Sequence, residues 1–112
     1  MAIILVVDDS KVMREMVKAA LVEQGHEIIT AEDGHIALEI AKETTVDMVL
    51  SDVNMPNMSG ISLVSQLRLL TTYTQTPIIM LTTESTDSKK TKAKLVGASG
   101  WLQKPFDQIR LI

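Results

Sequence analysis

Short apolar runs recur along the chain at intervals of 20 to 30 residues, separated by stretches with a helical rhythm. Ala2 to Val7 is rich in Ile and Val, too short for a helix, and bounded by Asp8-Asp9-Ser10, which predicts a buried strand. Val12, Met13, Met16, Val17, Ala20 and Leu21 pair at four-residue steps and predict the apolar stripe of a helix. Asp9 or Ser10 would cap its start and Gly25 would stop it. A second strand is expected over Glu27 to Thr30, then a helix with Ile36, Ala37, Ile40 and Ala41 on one face. A third strand, Met48 to Ser51, ends at Asp52; after a loop over 54–60, Ile61, Val64, Leu67 and Leu70 mark a third helix. Pro77 opens a fourth strand, Ile78 to Leu81, ending at Thr82. A lysine-rich helix over Asp87 to Val96 stops at Gly97, and Ser99 to Gln103 makes a fifth strand ending at Lys104. Five strands alternating with helices imply an α/β domain with a parallel sheet covered on both faces.

In open α/β sheets, ligands bind beyond the carboxyl ends of the strands. There this chain delivers Asp8 and Asp9, Asp52, Thr82 and Lys104, from four of its five strands. Singly, each has an ordinary explanation: Asp8-Asp9 as a helix cap, Asp52 as a turn residue, Thr82 as a strand-end hydroxyl, Lys104 as a surface lysine. Their convergence on one edge is what those explanations leave out. At an effective dielectric of 20, two carboxylates 4 Å apart repel by ~4 kcal/mol, and three such pairs approach the ~5–15 kcal/mol that holds a domain together. A cluster of that kind should take up a proton or a cation. With oxygen ligands only, the hard ion Mg2+ is the natural choice, and Lys104 adds a positive charge suited to an anion bound over the metal. Metal, anion site and carboxylate nucleophile together suggest phosphoryl transfer through an aspartyl phosphate.

Composition narrows the class without changing it. A chain of 112 residues fits one domain over 1–112, large enough to bury roughly two-thirds of its unfolded surface. Eleven basic against 14 acidic residues, a net of −3, suggest neither a direct nucleic-acid surface nor an anionic membrane. The absence of cysteine excludes disulfides and thiolate chemistry. The opening apolar run is too short for a membrane span and lacks signal-peptide flanks, so a cytoplasmic domain is expected. Phe106 and Asp107 begin a final helix for which Gln108 to Ile112 supply little more than one turn, so it reads as incomplete.

The segments VVDDS at 6–10, LSDVNMPNMSG at 50–60, PIIMLTT at 77–83 and GASGWLQKPF at 97–106 resemble, in order and at family spacing, the receiver domain of bacterial two-component response regulators. The resemblance spans nearly the whole chain. It implies a flavodoxin-like (CheY-like) sheet in the order 2-1-3-4-5. It also implies Asp52 as phosphoacceptor from a sensor histidine kinase, and Mg2+ held by Asp8, Asp9, Asp52 and the backbone carbonyl of Asn54. Lys104 would pair with a phosphoryl oxygen and Thr82 would move onto the phosphoryl group. Trp101 stands where an aromatic turns inward in response, and Asn54 and Glu84 would tune hydrolysis of the phosphoaspartate. On this reading the chain is not an enzyme beyond slow self-catalysed phosphotransfer and self-dephosphorylation. Its partners would bind a face made by the lysine-rich helix, the fifth strand and the final helix.

DDSKVMREMV, TTES and GASGWLQKPF look most like stand-alone chemotaxis-type receivers, which would pair the chain with a CheA-like kinase and a flagellar motor switch. One alternative is a receiver belonging to a longer regulator with DNA-binding or enzymatic output. Another, of a different class, is a Mg2+-dependent phosphatase with an aspartate nucleophile. It is disfavoured because such enzymes usually place the nucleophile at strand 1 with a second Asp two positions on, whereas Asp8 and Asp9 are adjacent.

Overall fold

A computed structural model of the chain describes residues 2–53, 58–82 and 97–103, with Thr82 and residues 101–103 described in backbone only. The expected lysine-rich helix and final helix lie outside these residues, as do Asn54, Glu84 and Lys104. The strands are β1 (Ile3–Val7), β2 (Glu27–Ala31), β3 (Met48–Asp52), β4 (Ile78–Thr82) and β5 (Gly100–Gln103). Between them run α1 (Lys11–Val22), α2 (Gly34–Glu43), α3 (Gly60–Arg68) and a 3-10 turn at Thr71–Tyr73. The sheet is parallel throughout, in the order β2-β1-β3-β4-β5. This is the expected doubly wound arrangement.

Alternation along the strands explains why helices cover both faces. Leu5, Val7 and Val49 point into one core with Ala37 and Ala41 of α2 and Leu63, Val64 and Leu67 of α3. Ile4, Val6, Leu50 and Leu81 point the other way, onto Val17 and Leu21 of α1. Each helix start is capped by a side-chain oxygen that accepts a backbone N–H: Ser10 from Met13, Asp33 from Ile36, and Ser59 from Ser62. After α1 the chain reverses through Gly25 at φ 88°, a left-handed conformation that favours glycine. Among the described residues, no helix is long and apolar enough to cross a membrane.

Three expected core positions are corrected. Val12 and Met16 are 71% and 53% exposed, and Ile36 is 39% exposed. In each case the neighbouring residue on the helix faces the sheet instead. A step of 100° per residue leaves two adjacent stripes in α1, and the one through Met13, Val17, Ala20 and Leu21 packs. Leu63 is fully buried beside the expected Val64 and Leu67. His26 is partly buried, and its Nδ1 accepts the Ala2 N–H at 3.3 Å.

Tyr73, on the short turn, is the largest of the fully buried side chains among the described residues and is 1% exposed. Its hydroxyl donates to the Ala41 carbonyl, lies 3.1 Å from the Thr44 carbonyl and accepts the Val46 N–H at 3.3 Å. One phenol therefore satisfies the end of α2 and the approach to β3. Tyr73→Phe keeps the ring but strands these backbone groups away from water. Urea denaturation should show a loss of about 1–3 kcal/mol, and an unchanged midpoint would refute the role assigned to the hydroxyl.

Candidate functional site

The register of the two central strands sets the site. Val7 of β1 stands opposite Ser51 of β3, so one step further Asp8 comes level with Asp52. Both residues are still held by the ladder: the Asp8 N–H donates to the Ala31 carbonyl at 3.1 Å, and the Val53 N–H donates to the Leu81 carbonyl at 3.2 Å. Because β2 and β3 flank β1, the strand order reverses here, and in open α/β sheets ligands bind at such a switch point.

Asp8, Asp9 and Asp52 each bring a carboxylate oxygen to within 4.8 Å of the others. Asp8 is fully buried, Asp52 is 9% exposed, and Asp9 is exposed at the rim. Local hydrogen bonds aim them. Asp8 Oδ1 accepts the Ser10 N–H at 2.9 Å, tying its carboxylate to the first turn of α1. The Ser51 hydroxyl donates to the Asp52 carbonyl at 2.9 Å. The amino-terminal end of α1 follows directly, and its helix dipole opposes some of the gathered negative charge.

Two further residues, not singled out from the sequence, complete the frame. Arg14, one turn into α1, donates from Nη1 to the Asp8 carbonyl at 2.7 Å. Gly60, the first residue of α3, donates its N–H to the Val53 carbonyl at 2.8 Å, closing the loop that follows Asp52. A Cβ at position 60 would lie 2.0 Å from the Asp52 carbonyl oxygen, so only glycine admits this approach. Arg14 carried a weak signal, a cation six residues after an aspartate; Gly60 looked like an ordinary residue at the end of a loop.

The trio suits a hard divalent cation. Two oxygens on opposite sides of one Mg2+ are about 4.2 Å apart, close to the 4.8 Å spread here, and carboxylates with water are its usual ligands. Of the other expected site residues, Thr82 ends β4 one position beyond the Leu81–Asp52 pair, which brings its backbone to the same edge. Trp101 lies within β5, opposite Met80.

A doubly wound parallel sheet with a buried acidic cluster at its switch point is the framework of a phosphoacceptor domain. The chain belongs to the response regulator receiver domain family, whose model matches residues 4–112. It is 38% identical over 105 residues to a chemotaxis protein CheY homolog of Campylobacter jejuni, covering 92% of this chain and 81% of the relative. The structure of chemotaxis protein CheY4 of Vibrio cholerae superimposes with a TM-score of 0.93 at 48% identity, covering 96% of this chain and 89% of that one. The receiver domain of sensor histidine kinase PA1611 from Pseudomonas aeruginosa, solved with a magnesium ion coordinated in its active site cleft, matches with a TM-score of 0.86 at 28% identity, covering 94% of this chain and 86% of that one. Receiver domains are phosphoacceptors rather than classical enzymes, and they bind Mg2+ at an acidic site.

The close approach at Gly60 yields a direct test. Gly60→Ala should displace the Asp52 carbonyl or the start of α3, destabilising the fold by about 1–3 kcal/mol and weakening Mg2+ binding measured by calorimetry. Wild-type Mg2+ affinity in a folded variant would show that Gly60 does not frame the site.

Proposed function

We propose that this chain is a phosphorylation-activated signalling switch that accepts a phosphoryl group on Asp52 from the phosphohistidine of a sensor histidine kinase. The observation that carries this is the acidic trio at the switch point, with Asp52 on the central strand and Asp8 level with it. An Asp52 carboxylate oxygen attacks phosphorus while the P–N bond breaks. The electron pair leaves on the imidazole, and the product is an acyl phosphate. Asp8, Asp9, Asp52 and the Asn54 carbonyl would hold Mg2+, which would offset the charge of the carboxylates and of the incoming phosphoryl oxygens. Lys104 pairs with a phosphoryl oxygen and the Thr82 hydroxyl closes onto another. Asn54 and Glu84 set how quickly water removes the group, the slow self-dephosphorylation of the domain.

The chain acts as a single receiver domain over 1–112 in the cytoplasm. The likeness to chemotaxis proteins over most of their length favours a stand-alone regulator, with a CheA-like kinase as donor and a flagellar motor switch as target. The target docks on the face formed by the lysine-rich helix, β5 and the final helix.

Treatment with acetyl phosphate and Mg2+ should add one phosphoryl mass to the wild-type chain, stable in acid and labile in base. Asp52→Ala or chelation by EDTA should abolish the gain, and persistence in Asp52→Ala would remove Asp52 from its role. Beryllofluoride with Mg2+ should change the emission of Trp101. Unchanged emission, with beryllofluoride shown to bind, would rule out coupling between the site and β5.

A further inference from the structure

Arg68, the last residue of α3, makes a set of contacts that the phosphorylation site does not use. Its Nε and Nη2 both donate to the Gly97 carbonyl, at 2.9 and 2.8 Å. Nη1 donates to the carbonyls of Tyr73 and Thr76, at 2.6 and 2.7 Å, and Nη2 also reaches the Ser99 hydroxyl at 3.2 Å. A guanidinium has five N–H groups, so these contacts employ its whole donor set. Every acceptor is neutral, and burial holds the group below its ordinary pKa. Gly97 sits at φ 105°, and a Cβ there would come within 3.0 Å of Arg68 Cγ, so the fit is specific on both sides.

The contacts converge on the point where β5 begins. The Ser99 N–H donates to the Ile78 carbonyl at 2.7 Å, and the Ser99 hydroxyl accepts the Ile78 N–H at 3.0 Å. From there the pairing runs from Ile79 with Gly100 to Thr82 with Gln103. Among the described residues, β5 is a four-residue strand at the edge of the sheet, paired with β4. A slip of one residue would turn every side chain of the strand to the other face. The residue after Gln103 is Lys104. Arg68 and Ser99 therefore pin the start of the strand that leads in sequence to Lys104.

We propose that Arg68 is a positioning residue for phosphoryl transfer, fixing the register of β5 so that Lys104 reaches the site. This rests on the role given to Lys104 above. The test is the rate of labelling by acetyl phosphate in wild type, Arg68→Lys, Lys104→Ala and the double variant, with Mg2+ affinity measured separately by calorimetry. Lysine keeps the charge but cannot bridge four acceptor groups. Arg68→Lys should slow labelling roughly tenfold, as misplacement of a reacting group does, with Mg2+ affinity changed less than twofold. In the Lys104→Ala background it should produce no further slowing. Equal slowing in both backgrounds, a parallel loss of Mg2+ affinity, or no slowing at all would overturn the proposal. Should Lys104→Ala itself label at the wild-type rate, the Lys104 assignment falls and the Arg68 proposal with it. A slowed Lys104→Ala beside a normal Arg68→Lys removes Arg68 alone. If Arg68→Lys loses its helical circular dichroism, Ser99→Ala loosens the same pin more gently and must show the same pattern.

Discussion

Mutual repulsion among Asp8, Asp9 and Asp52 is the constraint around which this domain is organised. Two of the three carboxylates are withdrawn from solvent, where the energy of gathering like charges is largest. They stay together because the backbone beneath them cannot yield. Leu5, Val6, Val7, Val49 and Leu50 have no exposed surface, and they belong to neighbouring strands at the middle of the sheet. Separating Asp8 from Asp52 would require breaking the β1–β3 ladder or opening both cores. A divalent cation bound among them would offset that repulsion.

The helices share this task unequally. α1 brings its amino-terminal end and Arg14 to the acidic edge, while α3 begins so close to Asp52 that its first residue has no side chain. The opposite ends serve a different purpose. The carboxyl-terminal end of α2 is satisfied by Tyr73, and that of α3 supplies Arg68, so that edge is closed by hydrogen bonds to backbone. A rigid closed edge leaves rearrangement to the open one.

Much of this was legible in the sequence because it depends on local order. The Ile- and Val-rich runs, each followed by Asp8, Asp52 or Thr82, located the strands and the carboxyl edge to within a residue. Ser10 and Gly25 bounded the first helix as expected. Where the reading failed, the information was not local. Val12 and Met16 keep the same four-residue spacing as Met13 and Val17, and only the position of the sheet selects between them. The phenol of Tyr73 acts on residues 27 to 32 positions earlier, and Arg68 reaches 29 to 31 positions ahead. Nothing near either residue announces those partners. Gly60 is required by a carbonyl eight positions back, and that distance becomes short only once α3 is docked.

The acceptors around Arg68 separate the molecule into two chemical rims. Carbonyls and a hydroxyl do not titrate in the physiological range, and a guanidinium keeps its proton there. The contacts at that rim to Gly97, Tyr73 and Thr76 are short and part-buried, and their acceptors are neutral. At the far rim the gathered side chains are three carboxylates, the oxygen donors that a hard divalent cation takes. Exchange of an ion at the acidic rim would leave the hydrogen bonds of the other rim in place, because the two rims share no residue.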